Sequence, residues 1–196
     1  MIAQKKNPEK YDAILAAAIN VIGQAGYHNA PISRIAREAG VADGTVYLYF
    51  KNKEDVLMSI LRETIGHISH QIKEQFESET DPIRKLRCLV STLFETFGRN
   101  KNLALVIQIH LRQADEALRR EIGEIIKPYY SLIEHIVYDG MEKGLFRKTI
   151  DPRIARRMVF GTIDETITAW VLTGAKYSLT GLTDQVVDLL VHGMKK

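Results

Sequence analysis

The 196-residue chain is predicted to be all-α, with about nine helices, on three observations. Apolar residues recur at the 3.6-residue helical period along most of its length. Asp81-Pro82 and Asp151-Pro152 each place a capping carboxylate before a residue whose fixed φ suits a first helical turn. No segment alternates apolar and polar residues for long enough to make a strand.

Taken in order, Tyr11, Ile14, Leu15, Ala18, Ile19 and Ile22 form the first stripe, and Gly26 is placed to stop it as a left-handed cap. Ile32, Ile35, Ala36 and Ala39 make a shorter stripe that Gly40 ends, and a third short helix covers residues 43–49. Asn52 caps a long fourth helix to about residue 78, with Asp55 as capping-box partner. The Asp81-Pro82 pair opens a helix to about residue 97, and a shorter one covers 102–112. The next spans 116–143 and is closed by Gly144; Pro128 inside it predicts a kink or a break. The helix from Pro152 ends near Gly174, and a last one covers 182–192.

Composition bounds the function. The chain is 45% hydrophobic and 26% charged, ordinary globular proportions, and long enough to bury a real core. Cys88 is the single cysteine, which rules out an internal disulfide and fits a reducing cytoplasm. Residues 1–10 are charged and lack an apolar run, so no signal peptide is expected. The most apolar stretch, 103–111, is interrupted by Gln108 and His110 and is too short to span a membrane. Net charge is +3. Residues 1–53 carry a similar local excess: Lys5, Lys6, Lys10, Arg34, Arg37, Lys51 and Lys53 against Glu9, Asp12, Glu38 and Asp43.

Residues 31–50 have the makings of a helix-turn-helix. Ala36 is small where two short helices touch, Gly40 permits the tight turn, and Val41 and Val46 anchor the second helix on the first. The second helix then presents Gly44, Thr45, Tyr47 and Tyr49 to a major groove. Gly44 lets backbones approach, Thr45 can meet a phosphate or a thymine methyl, and both tyrosines carry hydroxyls on rigid stems. Lys53, at the start of the next helix, suits a phosphate, and Ser33 and Arg34 open the preceding one. A compact three-helix packing unit would share the alanines and glycines. It would not call for aromatic hydroxyls beside a lysine.

Here the sequence resembles the TetR family of bacterial transcriptional regulators. The resemblance rests on Gly26-Tyr27, Ile35-Ala36, Ala39-Gly40-Val41, the run from Gly44 to Phe50, and Lys53-Glu54. It implies that Ser33, Asp43, Gly44, Thr45, Tyr47, Leu48, Tyr49 and Lys53 sit at DNA-contacting positions. Pro31 departs from the family's usual threonine and cannot make that residue's hydroxyl cap or phosphate contact. Asp43 is repelled by phosphate but can accept from a cytosine amino group.

Most of the chain resembles the FadR group of that family, repressors of fatty-acid degradation in Bacillus and relatives. The stretches 40–55, 103–113 and 160–170 carry this likeness. It implies long-chain acyl-CoA as an effector that releases DNA, with no cofactor. Such a ligand needs an apolar tunnel for its tail and cations near the mouth. Phe94, Phe97, Leu103, Val106, Ile107, Phe160, Ile163, Ile167 and Trp170 are candidates for the tunnel, although ordinary bundle core would look the same. Arg99, Lys101, Arg112, Arg119 and Arg120 are candidate phosphate clamps, with a solvated helix face as the alternative. Gln108 and Arg112, four residues apart on one helix face, are the best candidates for polar contacts. Asp164-Glu165 interrupts an apolar helix, so partial exposure or a bond to a neighbouring helix or subunit is expected.

Residues 1–52 are therefore read as a DNA-binding domain and 53–196 as a ligand-binding and dimerisation domain. Ile154, Met158, Phe160, Ile167, Val171, Val186, Leu189, Leu190 and Met194 exceed what one core layer needs and suit a four-helix dimer interface. A homodimer would lay two reading helices on a pseudo-palindromic operator. Rival readings are a TetR-type repressor of an efflux pump sensing hydrophobic drugs, a small helical metal enzyme using Glu63, His67 and His70, and a protein-binding adaptor. Against an enzyme, there is no Gly-x-Ser-x-Gly, no phosphate-binding glycine loop and no Cys-x-x-Cys. Cys88 beside Arg87 reads as a buried small hydrophobe rather than an activated thiolate.

Overall fold

A computed structural model describes residues 7–112 and 115–195. Lys5 and Lys6, counted in the basic excess, and Gln113, at the end of one resembling stretch, lie outside the described residues. Nine α-helices occur among the described residues: α1 (Pro8–Ala25), α2 (Ile32–Glu38), α3 (Asp43–Tyr49), α4 (Lys53–Ser78), α5 (Pro82–Arg99), α6 (Lys101–His110), α7 (Glu116–Glu142), α8 (Pro152–Leu172) and α9 (Thr183–Met194). A single 3₁₀ turn at Thr180–Leu182 leads into α9. No helix among them is long and apolar enough to cross a membrane.

The helix ends follow local chemistry. The carboxylates of Asp81 and Asp151 accept from the backbone N–H of Ile83 and Arg153 at 2.9 and 2.8 Å, with proline in each first turn. Asn52 Oδ1 accepts from Asp55 N–H at 2.8 Å. The Asp55 carboxylate does not complete the box at Asn52; it accepts from Lys51 N–H at 2.8 Å, one residue earlier. Gly40 closes α2 with φ 68°, sending Val41 N–H to Ala36 O and Gly40 N–H to Arg37 O, and Gly144 closes α7 in the same way at φ 72°.

Two expectations need correction, and a third needs it in part. Gly26 has φ 80° but ψ 156°, outside the left-handed helical well, so it turns the chain sharply rather than winding one more turn. Of the kink or break expected at Pro128, the break is absent: α7 continues through it, with the proline on an exposed face. α6 ends at His110, two residues before the predicted end.

α1, α2 and α3 form a small head around Ile14, Ile35, Ala36 and Val46, all inaccessible to solvent. α4 starts on the head and runs into the body, where it packs on α5 and α7. α1 also packs along α6, so the body touches the head twice, through α4 and α6. One continuous apolar core joins the two parts. Of the apolar residues expected at a dimer face, Ile154, Met158 and Leu189 are exposed, and so is Leu172. Val171, Val186, Leu190 and Met194 are instead buried within the chain's own core, where α9 folds back against α5 and α8, and Phe160 and Ile167 turn inward toward α4–α7.

Candidate DNA-reading head and ligand cavity

The turn at Gly40 sets α3 across α2, with Val46 wholly buried between them. The face of α3 opposite Val46 then points outward. Tyr47 and Leu48 are 56% and 60% exposed, a large apolar and hydroxyl-bearing surface on a seven-residue helix. Asp43 and Gly44 are exposed beside them, and a Cβ on Gly44 would meet nothing within 4 Å, so a partner's backbone can approach closely. Ser33 is exposed at the start of α2, while Thr45 and Arg34 are half-buried. Pro31 gives α2 no side-chain cap, as its lack of a polar atom dictates.

Two of the expected DNA-facing residues have duties inside the protein. The Tyr49 hydroxyl accepts from Asn7 N–H at 3.0 Å, and its ring packs near Tyr11 and Phe50. The Lys53 ammonium donates to Tyr27 O at 2.8 Å and lies 4.4 Å from the centre of the Tyr27 ring. Lys53 is therefore a strut joining the start of α4 to the α1–α2 loop, rather than a side chain held out for phosphate alone. On its other side Tyr27 meets His110 of α6, ring centres 5.3 Å apart. Burial, and secondarily the charge of His28, holds the His110 imidazole below its ordinary pKa, which favours the neutral form at this junction.

The body encloses a narrow cavity between α4, α5, α6, α7 and α8. Its volume is about 30 Å³. Of the predicted tunnel residues, Phe97, Ile107, Gln108, Phe160, Ile163 and Ile167 line it. Phe94 and Val106 are buried in the core beside it, one residue and so about 100° around their helices from Leu93 and Ile107. Leu103 is half-buried a turn earlier on α6. Trp170 lies beyond the cavity's end and donates from its indole N–H to Tyr177 O at 2.8 Å. Sequence reasoning missed Ile65, Ile68, Leu93, Leu111, Ile126 and Tyr129 as lining residues. Spacing could have found Leu93, four residues before Phe97; nothing separates Tyr129 from its neighbours in the α7 stripe.

The polar side of the cavity is built between α6 and α8. Thr168 Oγ1 donates to Gln108 Oε1 at 3.0 Å, and Arg112 pairs with Asp164. Asp164 and Thr168 lie four apart on α8 and face Gln108 on α6 and Arg112 two residues past its end, so two rungs tie the C-terminal end of α6 to α8. Asp164 is thus a bonded carboxylate, 5% exposed in its side chain, whereas the Arg112 side chain is 62% exposed. Glu165 is exposed. Arg99 is not at the cavity: it pairs with Glu95 on an exposed face of α5 at 3.3 Å. Arg120 likewise pairs with Glu116, while Lys101 and Arg119 are exposed.

The metal reading fails on geometry. Glu63 accepts from the Tyr11 hydroxyl at 3.2 Å, and His70 lies 3.7 Å from Glu74. Among the described residues no three His, Cys, Asp or Glu side chains converge on a metal-sized point. Burial, more than any other influence, pushes the Cys88 thiol pKa up, the opposite of an activated thiolate.

Residues 14–60 match the model of bacterial regulatory proteins of the tetR family. Residues 61–193, most of the chain, match the C-terminal region of YsiA-like proteins. The chain belongs to the TetR family. As a TetR-family member it is a DNA-binding transcriptional regulator and not an enzyme. It is 43% identical over 190 residues to a fatty acid metabolism regulator protein of Bacillus subtilis, covering 97% of this chain and 98% of the relative. The fold superposes with a TM-score of 0.92 on the fatty acid degradation regulator FadR of Bacillus halodurans, at 46% identity, covering 97% of this chain and 98% of that one. It superposes with a TM-score of 0.89 on FadR of Bacillus subtilis in complex with stearoyl-CoA, at 43% identity, covering 94% and 99% of the two chains.

Proposed function

We propose that this TetR-family regulator represses fatty-acid-degradation genes and leaves its operator when long-chain acyl-CoA binds in the body. The carrying observation is the apolar cavity between α4 and α8, in a chain 43% identical across 94% of its length to a FadR bound to stearoyl-CoA. A protein of this kind works in the cytoplasm, where operator and acyl-CoA meet. The exposed apolar side chains of Ile154, Met158, Leu172 and Leu189 suit burial against a second copy. The homodimer then sets two α3 helices on the half-sites of a pseudo-palindrome.

The switch follows from the size of the cavity. Its volume of about 30 Å³ is an order of magnitude below the ~300–1,000 Å³ usual for ligand sites. An acyl chain enters only by parting the lining helices. Two of them, α4 and α6, also hold the head. Accommodating the tail therefore moves the head, and the ligand favours whichever state has the helices apart. We assign Arg112, whose side chain is exposed at the end of the polar seam, to the coenzyme's phosphates.

We assign DNA contact to Ser33, Arg34, Asp43, Gly44, Thr45, Tyr47, Leu48, Tyr49 and Lys53, with the outward pair Tyr47 and Leu48 carrying most of it. The head is taken as residues 1–52 and the body as 53–196, with Asn52 at the joint. Gel-shift titration tests the whole reading: stearoyl-CoA is expected to release a bound operator duplex and coenzyme A is not. Retention of the operator under saturating stearoyl-CoA contradicts it. Tyr47→Ala is expected to weaken operator binding at least tenfold while moving stability by less than about 0.5 kcal/mol, because the side chain is exposed. An unchanged operator affinity would remove Tyr47 from the interface.

A further inference from the structure

Tyr129 is a buried polar residue that the fold leaves unserved. It stands on α7, 3% exposed, and its hydroxyl has no hydrogen-bond partner among the described residues. Ser69 Oγ shares that condition but lies away from the cavity, whereas Tyr129 lines it. Native folds rarely leave such a group unpaired, and an exception calls for a role.

The surroundings define what the hydroxyl can meet. The three polar residues on the cavity wall are Gln108, Asp164 and Tyr129, and every other lining residue is apolar. Gln108 is tied to Thr168 and Asp164 to Arg112, so each already holds a side-chain partner. Burial above all, then the neighbouring Tyr130 and Asp164, pushes the Tyr129 pKa up, so the phenol keeps its proton and acts as a donor. No Lys, Arg or His lines the cavity, and the Asp164 carboxylate sits on its wall. A ligand carboxylate is repelled there. A neutral carbonyl oxygen is not, and it accepts one hydrogen bond from a neutral donor. In a long acyl thioester the carbonyl is the only such acceptor attached to the tail.

We propose that the Tyr129 hydroxyl donates to the thioester carbonyl oxygen of the bound acyl chain and sets the chain's depth in the cavity. This rests on the acyl-CoA reading above. Residue 129 is thereby a specificity-determining residue: it distinguishes an acyl thioester from a chain that fills the same apolar volume without a carbonyl.

Calorimetric titration of the full-length protein with stearoyl-CoA and with S-octadecyl-CoA, the thioether lacking only the carbonyl oxygen, tests this. The wild type is expected to bind the thioester about tenfold more tightly than the thioether, the scale of one buried hydrogen bond. Tyr129→Phe is expected to bind both alike, at the thioether's level. Its ligand-free melting temperature is expected to equal or exceed the wild type's, because it sheds an unpaired hydroxyl. Equal loss of affinity for both ligands in Tyr129→Phe indicates a packing role and overturns the proposal. So does a wild type that fails to discriminate the two ligands, a comparison that needs no variant to fold. If the wild type binds no stearoyl-CoA, the acyl-CoA reading itself fails; if it binds and discriminates equally well with phenylalanine at 129, only the Tyr129 assignment does.

Discussion

Gly140→Ala is expected to destabilise the fold by about 2–3 kcal/mol, a loss that chemical denaturation reads directly. A Cβ at position 140 would lie 2.1 Å from Cδ2 and 2.4 Å from Cε2 of Phe146. The ring has nowhere to go, since Phe146 is 1% exposed. Its backbone is held as well: Leu145 and Phe146 both donate to Gly140 O at 2.9 Å, and Arg147 N–H donates to Met194 O at 3.0 Å. The methyl therefore separates α7 from the turn that anchors the C-terminal helix. Alanine's better helix propensity returns only about 0.5–1 kcal/mol. For a chain of this size the melting temperature falls by roughly 5–10 °C. A midpoint at or above that of the wild type would mean that the contact between α7 and Phe146 is looser than described.

Gly23→Ala is expected to lower operator affinity about tenfold although it touches neither DNA nor cavity. Its Cβ would meet Asn102 at 2.7 Å from Cβ and 2.9 Å from Cα. The second of these is backbone, so α6 must move away from α1. α6 carries Ile107 and Gln108 into the cavity and His110 onto Tyr27 of the head. The methyl thus forces, from the head side, a separation like the one an acyl chain would force from within. Stability is expected to drop by about 1–3 kcal/mol. Gly66→Ala on α4 is the matched control: a Cβ there meets nothing within 4 Å, so a gain of about 0.5–1 kcal/mol and unchanged operator affinity are expected. Gel shifts of the two variants side by side decide the matter. Equal operator affinity for both would show that α1–α6 packing plays no part in positioning the head.

The fold was legible because its helix ends are written in local chemistry. Asp81, Asp151, Asn52, Gly40 and Gly144 act within a few residues of themselves, so α3 and α4 begin and end where the residues predict. Pro128 did not break its helix, and periodicity does not reveal that it sits on an exposed face, where the freed carbonyl can meet solvent. The outward face of α3 was legible in part for the same local reason: burial of Val46 turns Gly44 and Tyr47 outward, whereas Leu48 came only from the family resemblance and Thr45 and Tyr49 are half-buried. Lys53 was not, because the group that claims it, Tyr27, is 26 residues away in sequence. The cavity was legible only in part. A helical stripe tells which side of a helix is buried, but whether a buried residue meets space or a neighbour depends on how five helices cross. Phe97 and Phe94 differ in that respect alone. Asp164 was visible as an anomaly in an apolar helix, and its partner Arg112 was chosen for a different reason; their pairing required α6 and α8 to be adjacent.

In the proposed switch, acyl-chain binding and operator binding oppose one another through α4 and α6. Thermodynamic linkage makes this testable in one measurement: the affinity of stearoyl-CoA for the protein with and without saturating operator duplex, set against the affinity of the operator with and without saturating stearoyl-CoA. Each ligand is expected to weaken the other by the same factor, tenfold or more. Tight binding of stearoyl-CoA with operator affinity unchanged would contradict it.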